Sequence, residues 1–493
     1  MSDKKITKNS TLSYYLLCAF SIFLMFFAGR IIPPFAAEIT TTGMQILFLF
    51  LGMVILWSTV GGVIWPSILA IIALGLTDYT TVNASIVSAL GQVALWQTTF
   101  AIILASTITI SGAGEYLARW IMSRKILQGH PWIFTAVFLI AMTLISSVTN
   151  GIAMLVLAWA IVRGIAKIVD SDIKEAYFRI MSVMLIPACA FGEFVFPFRS
   201  WVGALWNAFA NVLGQSLDYG PYIIITFVLS IIVDICLVMY MRILRVNISV
   251  MTKFDNTVII EKFKNESLNS KQKTYLYTML VCMIVALVSN VAPRDSALYA
   301  MLNNLSVGGV FGVGVAFLIL LRDKDNKPVM DWFDITAKAP IWGAFFIVAS
   351  AIPVASALCS EATGFMAWTS KILSPFFSNI SLWLIYFIII LACLILTNLA
   401  SNTGVAMMMI PLTIPLASAA GANPYMIGIC VIFSSCMGLI LPGASALSAA
   451  VYGMLDEQEL RMQDIIIHGG MMLLMYLVLA TIVFAVLDPI IGL

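Results

Sequence analysis

The stretch Pro131–Val162, PWIFTAVFLIAMTLISSVTNGIAMLVLAWAIV, contains no Asp, Glu, Lys, Arg or His. A helix crossing the hydrocarbon layer takes about 20 mostly apolar residues, so the run is long enough to span. Both of its flanks are nevertheless basic. Arg119, Arg124 and Lys125 precede it, and Arg163, Lys167, Lys174 and Arg179 follow it. Basic flanks stay on the cytoplasmic side. A segment with both ends held there enters and leaves by one face, and it reads as a re-entrant helical hairpin. Its centre, Ser146-Ser147-Val148-Thr149-Asn150-Gly151, is a turn-forming run in apolar surroundings. A single tilted helix is the alternative reading.

The rest of the chain fits the same setting. Of 493 residues, 61% are apolar and 10% charged, and the mean hydropathy is +1.03. Soluble domains average about a quarter charged residues. The fold class is therefore an all-α polytopic membrane protein. A net charge of +2 argues against a nucleic-acid partner. Two histidines and eight cysteines, with no C-x-x-C pair, leave neither a metal cluster nor a disulfide framework. Cys236 and Cys393 read as small packing residues. No nucleophile stands beside a partner base, so an enzyme is not indicated.

The hydropathy pattern divides the chain. Residues 1–92 form N-terminal scaffold helices. Their first span is Thr11–Pro33, with Lys4, Lys5 and Lys8 held in the cytoplasm, and spans 44–60 and 63–76 meet at Gly61-Gly62. Residues 93–217 form a first core: span 94–114, hairpin 131–162, and a helix over 180–217 broken at Pro197. A scaffold helix over 218–245 (span 221–241) and a basic cytoplasmic linker over 246–274 follow. Residues 275–337 hold further scaffold spans, 275–292 and 304–321. A second core occupies 338–455: span 338–358, hairpin 378–418 with Ser401-Asn402-Thr403 at its tip, and a helix over 424–452 interrupted at Pro442-Gly443. The segment 456–493 carries the last helix, 466–487. This makes about eleven spans plus two re-entrant hairpins in a cell (inner) membrane, with the N-terminus cytoplasmic and the C-terminus outside.

Residues 372–455 again lack Asp, Glu, Lys, Arg and His, and hairpin 378–418 has only Lys371 beside it. Landmarks recur at a nearly constant separation: Gly114 with Gly364, Asn150 with Asn402, and the break near Phe198 with that near Ala444. Opposite flanks give the two copies opposite orientations. Inverted repeats with discontinuous helices mark alternating-access carriers, whose ligand sits where the breaks meet. Unwound backbone must face protein or water there. Free N–H groups at half-helix starts attract anions, and free carbonyls coordinate cations.

At these residues the sequence resembles the divalent anion/sodium symporter family, which has a Ser-Asn-Thr motif at each hairpin tip. The second copy is intact as Ser401-Asn402-Thr403, preceded by Thr397 and Ala400. The run Ser434-Ser435-Cys436-Met437-Gly438-Leu439-Ile440-Leu441-Pro442-Gly443-Ala444-Ser445 resembles the family's later signature, and Pro340-Ile341-Trp342-Gly343 its ninth-span entry. The resemblance implies a sodium site at Thr397, Ala400, Asn402 and Ala444. It implies a substrate carboxylate held by Ser401, Asn402, Thr403 and Ser445. It also implies a scaffold that makes a homodimer and a transport domain that moves as an elevator. The first half departs from the pattern, with Thr149-Asn150-Gly151 at its tip and Phe196-Pro197-Phe198-Arg199-Ser200-Trp201 at its break. The family's fifth span carries a Gly-Thr-Pro-Pro-Asn loop at that break, and Ala446-Leu447-Ser448 replaces the Pro-Pro-Asn of the second copy.

Thr149, Asn150, Arg199 and Ser200 are the first-half candidates for substrate binding. A charge at mid-membrane is costly and functional by default. Arg199 is expected to stand in for the first sodium ion and to pair with the anion. The alternative is an ion pair with Glu193 or Asp234 that only holds helices. Glu193 could tether Arg199, bind a proton or meet a substrate amine. Asp234 sits within the sixth span as a second proton or ion-pair candidate. Arg30 is expected to snorkel to the interface, Glu361 to be hydrated, and Trp201 and Trp206 to be packing or interfacial residues. The functional expectation is a secondary carrier of small organic anions, by sodium symport or exchange, with sodium as coupling ion and lipid as surroundings. The anion could be a dicarboxylate, or, given the lone Arg and the lost Pro-Pro-Asn loops, a monocarboxylate or sulfonate. The alternatives are a cation/proton antiporter relayed by Glu193 and Asp234, or a transport-inactive sensor.

Overall fold

A chain segment in hydrocarbon has no water for its backbone groups, so each apolar run closes its own hydrogen-bond ladder as a helix. The computed structural model describes residues 8–59, 63–123, 130–199, 202–214, 217–253, 267–291, 296–339, 341–358, 360–365, 367–368, 371–372, 380–399, 402–441, 444–453, 455 and 460–491. Gly61, Gly62, Ser200, Trp201, Pro340, Ala400, Ser401, Pro442, Gly443 and residues 254–266 of the expected linker lie outside the described residues. Arg199 is described in its backbone alone.

The first half runs α1 (Lys8–Phe23, continued by a π-helical turn Leu24–Ala28 to Ile31), α2 (Thr41–Thr59), α3 (Ile64–Gly75), α4 (Val82–Leu90), α5 (Val93–Ile110) and α6 (Ala113–Met122). Then come α7 (Pro131–Ser146), α8 (Gly151–Ile168), α9 (Ala176–Val195), a 3-10 turn Pro197–Arg199, α10 (Val202–Leu213) and α11 (Tyr219–Ile243). The second half runs α12 (Ser270–Val291), α13 (Ala297–Leu320), α14 (Trp332–Lys338), α15 (Ile341–Leu358), α16 (Leu382–Leu399), α17 (Asn402–Ala420), α18 (Pro424–Ser435), α19 (Ala446–Gly453) and α20 (Met462–Leu487). Among the described residues there is no strand, only one isolated bridge between Arg322 and Pro328.

Among the described residues seven helices are long and apolar enough to cross a membrane, two of them the hairpin arms Gly151–Ile168 and Leu382–Leu399, and an eighth forms if Val82–Leu90 and Leu95–Ile110, bent by 41°, count as one. Of the other expected crossings, five fall on shorter apolar helices, Thr41–Trp57, Ile64–Gly75, Val202–Leu213, Asn304–Leu320 and Pro424–Ser435, while the expected span 275–292 falls on α12, which is in neither group. Helices α4, α6 and α14 were not anticipated. The first is a short helix capped by Thr81, whose side chain accepts from Ala84 N. Ser306 (φ 56°, ψ 163°) kinks α13, and its Oγ accepts from Gly309 N to restart the helix.

The landmark glycines differ in conformation. Gly364 (φ 68°) takes the left-handed region after the turn Glu361–Thr363, where a Cβ would meet Glu38 O at 1.7 Å. Its conformational counterpart is Gly112 (φ 75°), since Gly114 lies within helix α6. Arg30 is exposed at the end of the first span and donates to Leu76 O, beside a cavity of about 170 Å³. Lys371 bonds Glu38, and that lysine holds the carboxyl below the usual carboxylate range.

Two cores carry the site. In the first, α7 and α8 form a helix–tip–helix unit packed on α9, and α11 packs on both α7 and α9. At Gly192 a Cβ would fall 2.1 Å from Thr143 O, so α7 and α9 touch backbone to backbone. In the second, α16 and α17 form the corresponding unit, packed on α18, and α20 covers α16. The cores meet crosswise. Helix α10, after the first break, packs on α17, while α19, after the second, packs on α8. Phe191 stacks on Phe433 at 5.7 Å, and a Cβ at Gly428 would strike the Phe209 ring at 2.0 Å.

Candidate functional site

The second hairpin closes against an unwound segment. Helix α18 stops at Ser435, ahead of the expected interruption at Pro442-Gly443, and helix resumes only at Ala446. The reason lies in hairpin side chains that capture its last carbonyls. Thr397 Oγ1 is 2.6 Å from Ser435 O, Asn402 Nδ2 donates to Cys436 O at 3.3 Å, and Asn398 Nδ2 donates to Met437 O at 3.0 Å. Asn398 Oδ1 then accepts from Leu439 N (3.2 Å) and Ile440 N (3.0 Å). Beyond these, Ser445 Oγ and Ser448 Oγ both donate to Gly438 O, at 2.7 and 2.9 Å, and Tyr452 OH donates to Ile440 O at 2.7 Å. Buried backbone groups need such partners, and here side chains supply them where a helix cannot.

Gly438 is the centre of this arrangement. A Cβ there would lie 2.1 Å from Asn402 Oδ1, 2.9 Å from Thr397 O and 3.1 Å from Thr397 Oγ1. Three neutral oxygens thus converge on one cradle that only glycine leaves open. Hard cations take such oxygen ligands. The cradle fits a sodium ion in donor type, and Thr397 Oγ1 and Asn402 Oδ1 are already 2.6 Å apart. Of the expected ligands, Thr397 and Asn402 meet here, Ala444 is buried in the same segment, and Ala400 lies outside the described residues. Of the expected anion ligands, Asn402 is 5% exposed and Thr403 8%, Ser445 donates to Gly438 O, and Ser401 lies outside the described residues.

The first hairpin is built differently. Asn150 caps α8, its Oδ1 accepting from Ala153 N at 3.1 Å, and Thr149 Oγ1 donates to Ile145 O at 2.7 Å. Gly151 N, the first amide of α8, donates to Glu193 Oε2 at 3.0 Å. A Cβ at Gly151 would lie 2.6 Å from that oxygen. The glycine that departs from the family tip is the residue that admits an internal carboxylate. The carboxyl lies at a helix N-terminus, where the dipole favours negative charge. Two residues before Glu193 on the same helix, Phe191 stacks on Phe433 of α18, so α9 and α18 pack together just ahead of the two breaks.

Phe198 seats the first break, buried against Tyr219 (5.6 Å) and Phe311 (5.8 Å). Beside α10 an open cleft of about 430 Å³ is lined by Ser88, Gln92, Asn207 and Asn211 with apolar neighbours. Trp206 is buried among Tyr219, Tyr222 and Tyr425, a packing residue. Asp234 is buried on α11 and meets Thr143 rather than either tip. Sequence reasoning missed Asn398, Gly438, Ser448 and Thr143. The signal for the first was the second asparagine in Thr397-Asn398-Leu399. Gly438 stood inside the signature run and Ser448 just beyond it without a role to mark them, while Thr143 gave no signal because its partners, Ala188 and Asp234, are remote in sequence.

A family profile described as the sodium:sulfate symporter transmembrane region matches residues 13–491. The sodium-dependent high-affinity dicarboxylate transporter 3 of Caenorhabditis elegans is 24% identical over 159 residues, 32% of this chain and 27% of its own. The uncharacterized transporter sll0640 of Synechocystis is 27% identical over 112 residues, 23% of this chain and 18% of its own. The chain thus aligns with about a quarter or less of the length of these curated relatives. Among solved structures, the YdaH transporter of Alcanivorax borkumensis aligns with a TM-score of 0.56 at 13% identity, over 98% of each chain. MtrF of Neisseria gonorrhoeae, described within a class of antimetabolite efflux pumps, aligns at 0.54 and 11% identity, over 82% of this chain and 83% of its own. These two show likeness of fold.

Proposed function

Since this chain belongs to the sodium:sulfate symporter family, a family of membrane transporters, we propose that it is a secondary carrier of a small organic anion coupled to sodium. The observation that carries this reading is the oxygen cradle at Gly438. Sodium bound by Thr397 and Asn402 places a positive charge at the tip of the second hairpin. The hydroxyls and amides there are neutral, so the ion supplies the attraction that an anionic carboxylate needs. Ser401, Asn402, Thr403 and Ser445 then orient the carboxylate. Ion and anion each bind better with the other present, which is reciprocal coupling.

The first half contributes an asymmetric partner. Glu193 holds the first tip amide, so this tip is no free anion clamp, and Arg199 at the neighbouring break is assigned the anion's second contact. Thr149 and Asn150 hold the tip itself, through Ile145 O and Ala153 N, which leaves Ser200 as the further first-half ligand. One fixed cation and one sodium suit a ligand with a single well-defined negative group. The polar cleft beside α10 is its route to the break. Crosswise packing of each broken helix on the opposite hairpin supports an inverted repeat around a shared chamber. The packing of α11 on α7 and α9 supports grouping it with the moving core, against the scaffold role expected from sequence. That core slides against a dimeric scaffold in an elevator cycle, in a cell membrane with the N-terminus inside and the C-terminus outside.

The test is Asn402→Ala in purified protein. Removing Oδ1 should abolish the rise in melting temperature that sodium produces in the wild type, since a ligand of the folded state stabilises by mass action. A wild type indifferent to sodium, in both stability and uptake, would point to exchange instead.

A further inference from the structure

Asp234 lies within α11, buried, and serves neither the sodium nor the anion site. Its Oδ2 is 2.7 Å from Thr143 Oγ1 on α7, and the same hydroxyl is 3.0 Å from Ala188 O on α9. Its Oδ1 is buried with no hydrogen-bond partner among the described residues. Close backbone contact at Gly192 pins Thr143 in this place. A hydroxyl has one proton to donate. Were the acid ionised, that proton would be contested by the carboxylate and the carbonyl. A buried charge would then hold at most one donor for its two oxygens, which is strongly disfavoured. With the acid neutral, Oδ2–H donates to Thr143 Oγ1 and Thr143 donates to Ala188 O. Every polar hydrogen is then used, and no charge is buried.

We propose that Asp234 is a proton-binding site that clamps the first hairpin arm, α7, between α9 and α11. Among the described residues no cation pairs with Asp234; Arg179, on α9, pairs with Asp464 instead, and Lys271 and Lys273 stand at the start of α12. Helix α7 carries no titratable side chain from Pro131 to Ser146. Helix α9 brings Cys189 and Glu193, α12 brings Tyr275 and Cys282, and α20 brings His468 and Tyr476. None of these bonds Asp234. On release, the proton leaves Oδ2 for water. The Thr143 hydroxyl then turns from Ala188 O to the carboxylate, and the buried charge loosens the seat of α7. Seating of the first hairpin is thereby linked to protons, beside the sodium linkage of the second.

Infrared difference spectra of the purified protein in lipid vesicles, recorded as pH is raised, read the clamp directly. A protonated-carboxyl band should appear in the wild type, disappear at alkaline pH, be absent from Asp234→Asn and be shifted in Thr143→Val. The wild-type melting temperature should fall as pH rises, because the folded state holds a proton the unfolded state releases, and that of Asp234→Asn should not. A spectrum with no Asp234-dependent band at any pH where the protein stays folded overturns the site. An unshifted band in Thr143→Val overturns the relay, and this variant decides alone if Asp234→Asn does not fold. These readings need neither substrate nor sodium, so they fail separately from the transport reading.

Discussion

At single residues, the site depends on where a methyl group would not fit. Gly438→Ala would put a Cβ 2.1 Å from Asn402 Oδ1, in the space where Thr397 and Asn402 converge. Something must shift, and the movable atoms are the proposed sodium ligands. We expect this variant to fold with a modest cost of about 1–3 kcal/mol, typical of overpacking. Its apparent sodium affinity should fall by roughly tenfold or more, which is a loss of about 1.4 kcal/mol. Sodium titration of uptake, or of melting temperature, measures this. Unchanged sodium affinity in a folded Gly438→Ala protein would remove the cradle from the mechanism. Gly151 follows the same logic with the opposite charge, since its missing Cβ admits Glu193.

At the level of elements, the unwound segment after α18 is held by side chains rather than by a ladder. Asn398 alone makes four bonds, to Leu394 O, Met437 O, Leu439 N and Ile440 N. Each buried group left unsatisfied costs about 1–3 kcal/mol. Asn398→Leu keeps the volume and removes these bonds. Hydrogen exchange at the Leu439 and Ile440 amides should then rise well above wild type, while the amides inside α11 stay protected. Equal protection in both proteins would mean that the segment is held by something other than the hairpin. The first break needs less help, because Tyr222 OH bonds Phe194 O at 3.0 Å and Phe198 is buried in aromatic contacts.

Over the whole molecule, the two cores are interlocked through α10 on α17 and α19 on α8. An inverted repeat puts the bases of the two hairpins on opposite faces of the membrane. Asp172, beyond α8, and Ser381, before α16, are both exposed. Cysteines introduced at Asp172 and Ser381 should react with an impermeant thiol reagent from opposite sides of intact cells, with the endogenous cysteines as background. Labelling of both from one side would contradict the inverted arrangement and the topology drawn from the charges.

Charge and hydropathy alone determined the membrane class, the helix interruption ahead of Gly151 and the position of the first break, because a bilayer excludes charge and unpaired backbone over a length written plainly along the chain. The intact Ser401-Asn402-Thr403 motif also pointed to the place where α16 ends, at Leu399, and α17 begins, at Asn402. Its partners were not legible there. Gly438, Asn398 and Thr143 acquire their roles from atoms that come near only after folding, and Gly151 explains its departure from the family tip only once Glu193 is seen against it. Local composition decides what a segment does with its own backbone, whereas which side chain takes an orphaned carbonyl depends on helices packed across the two halves, and that was settled by tertiary structure.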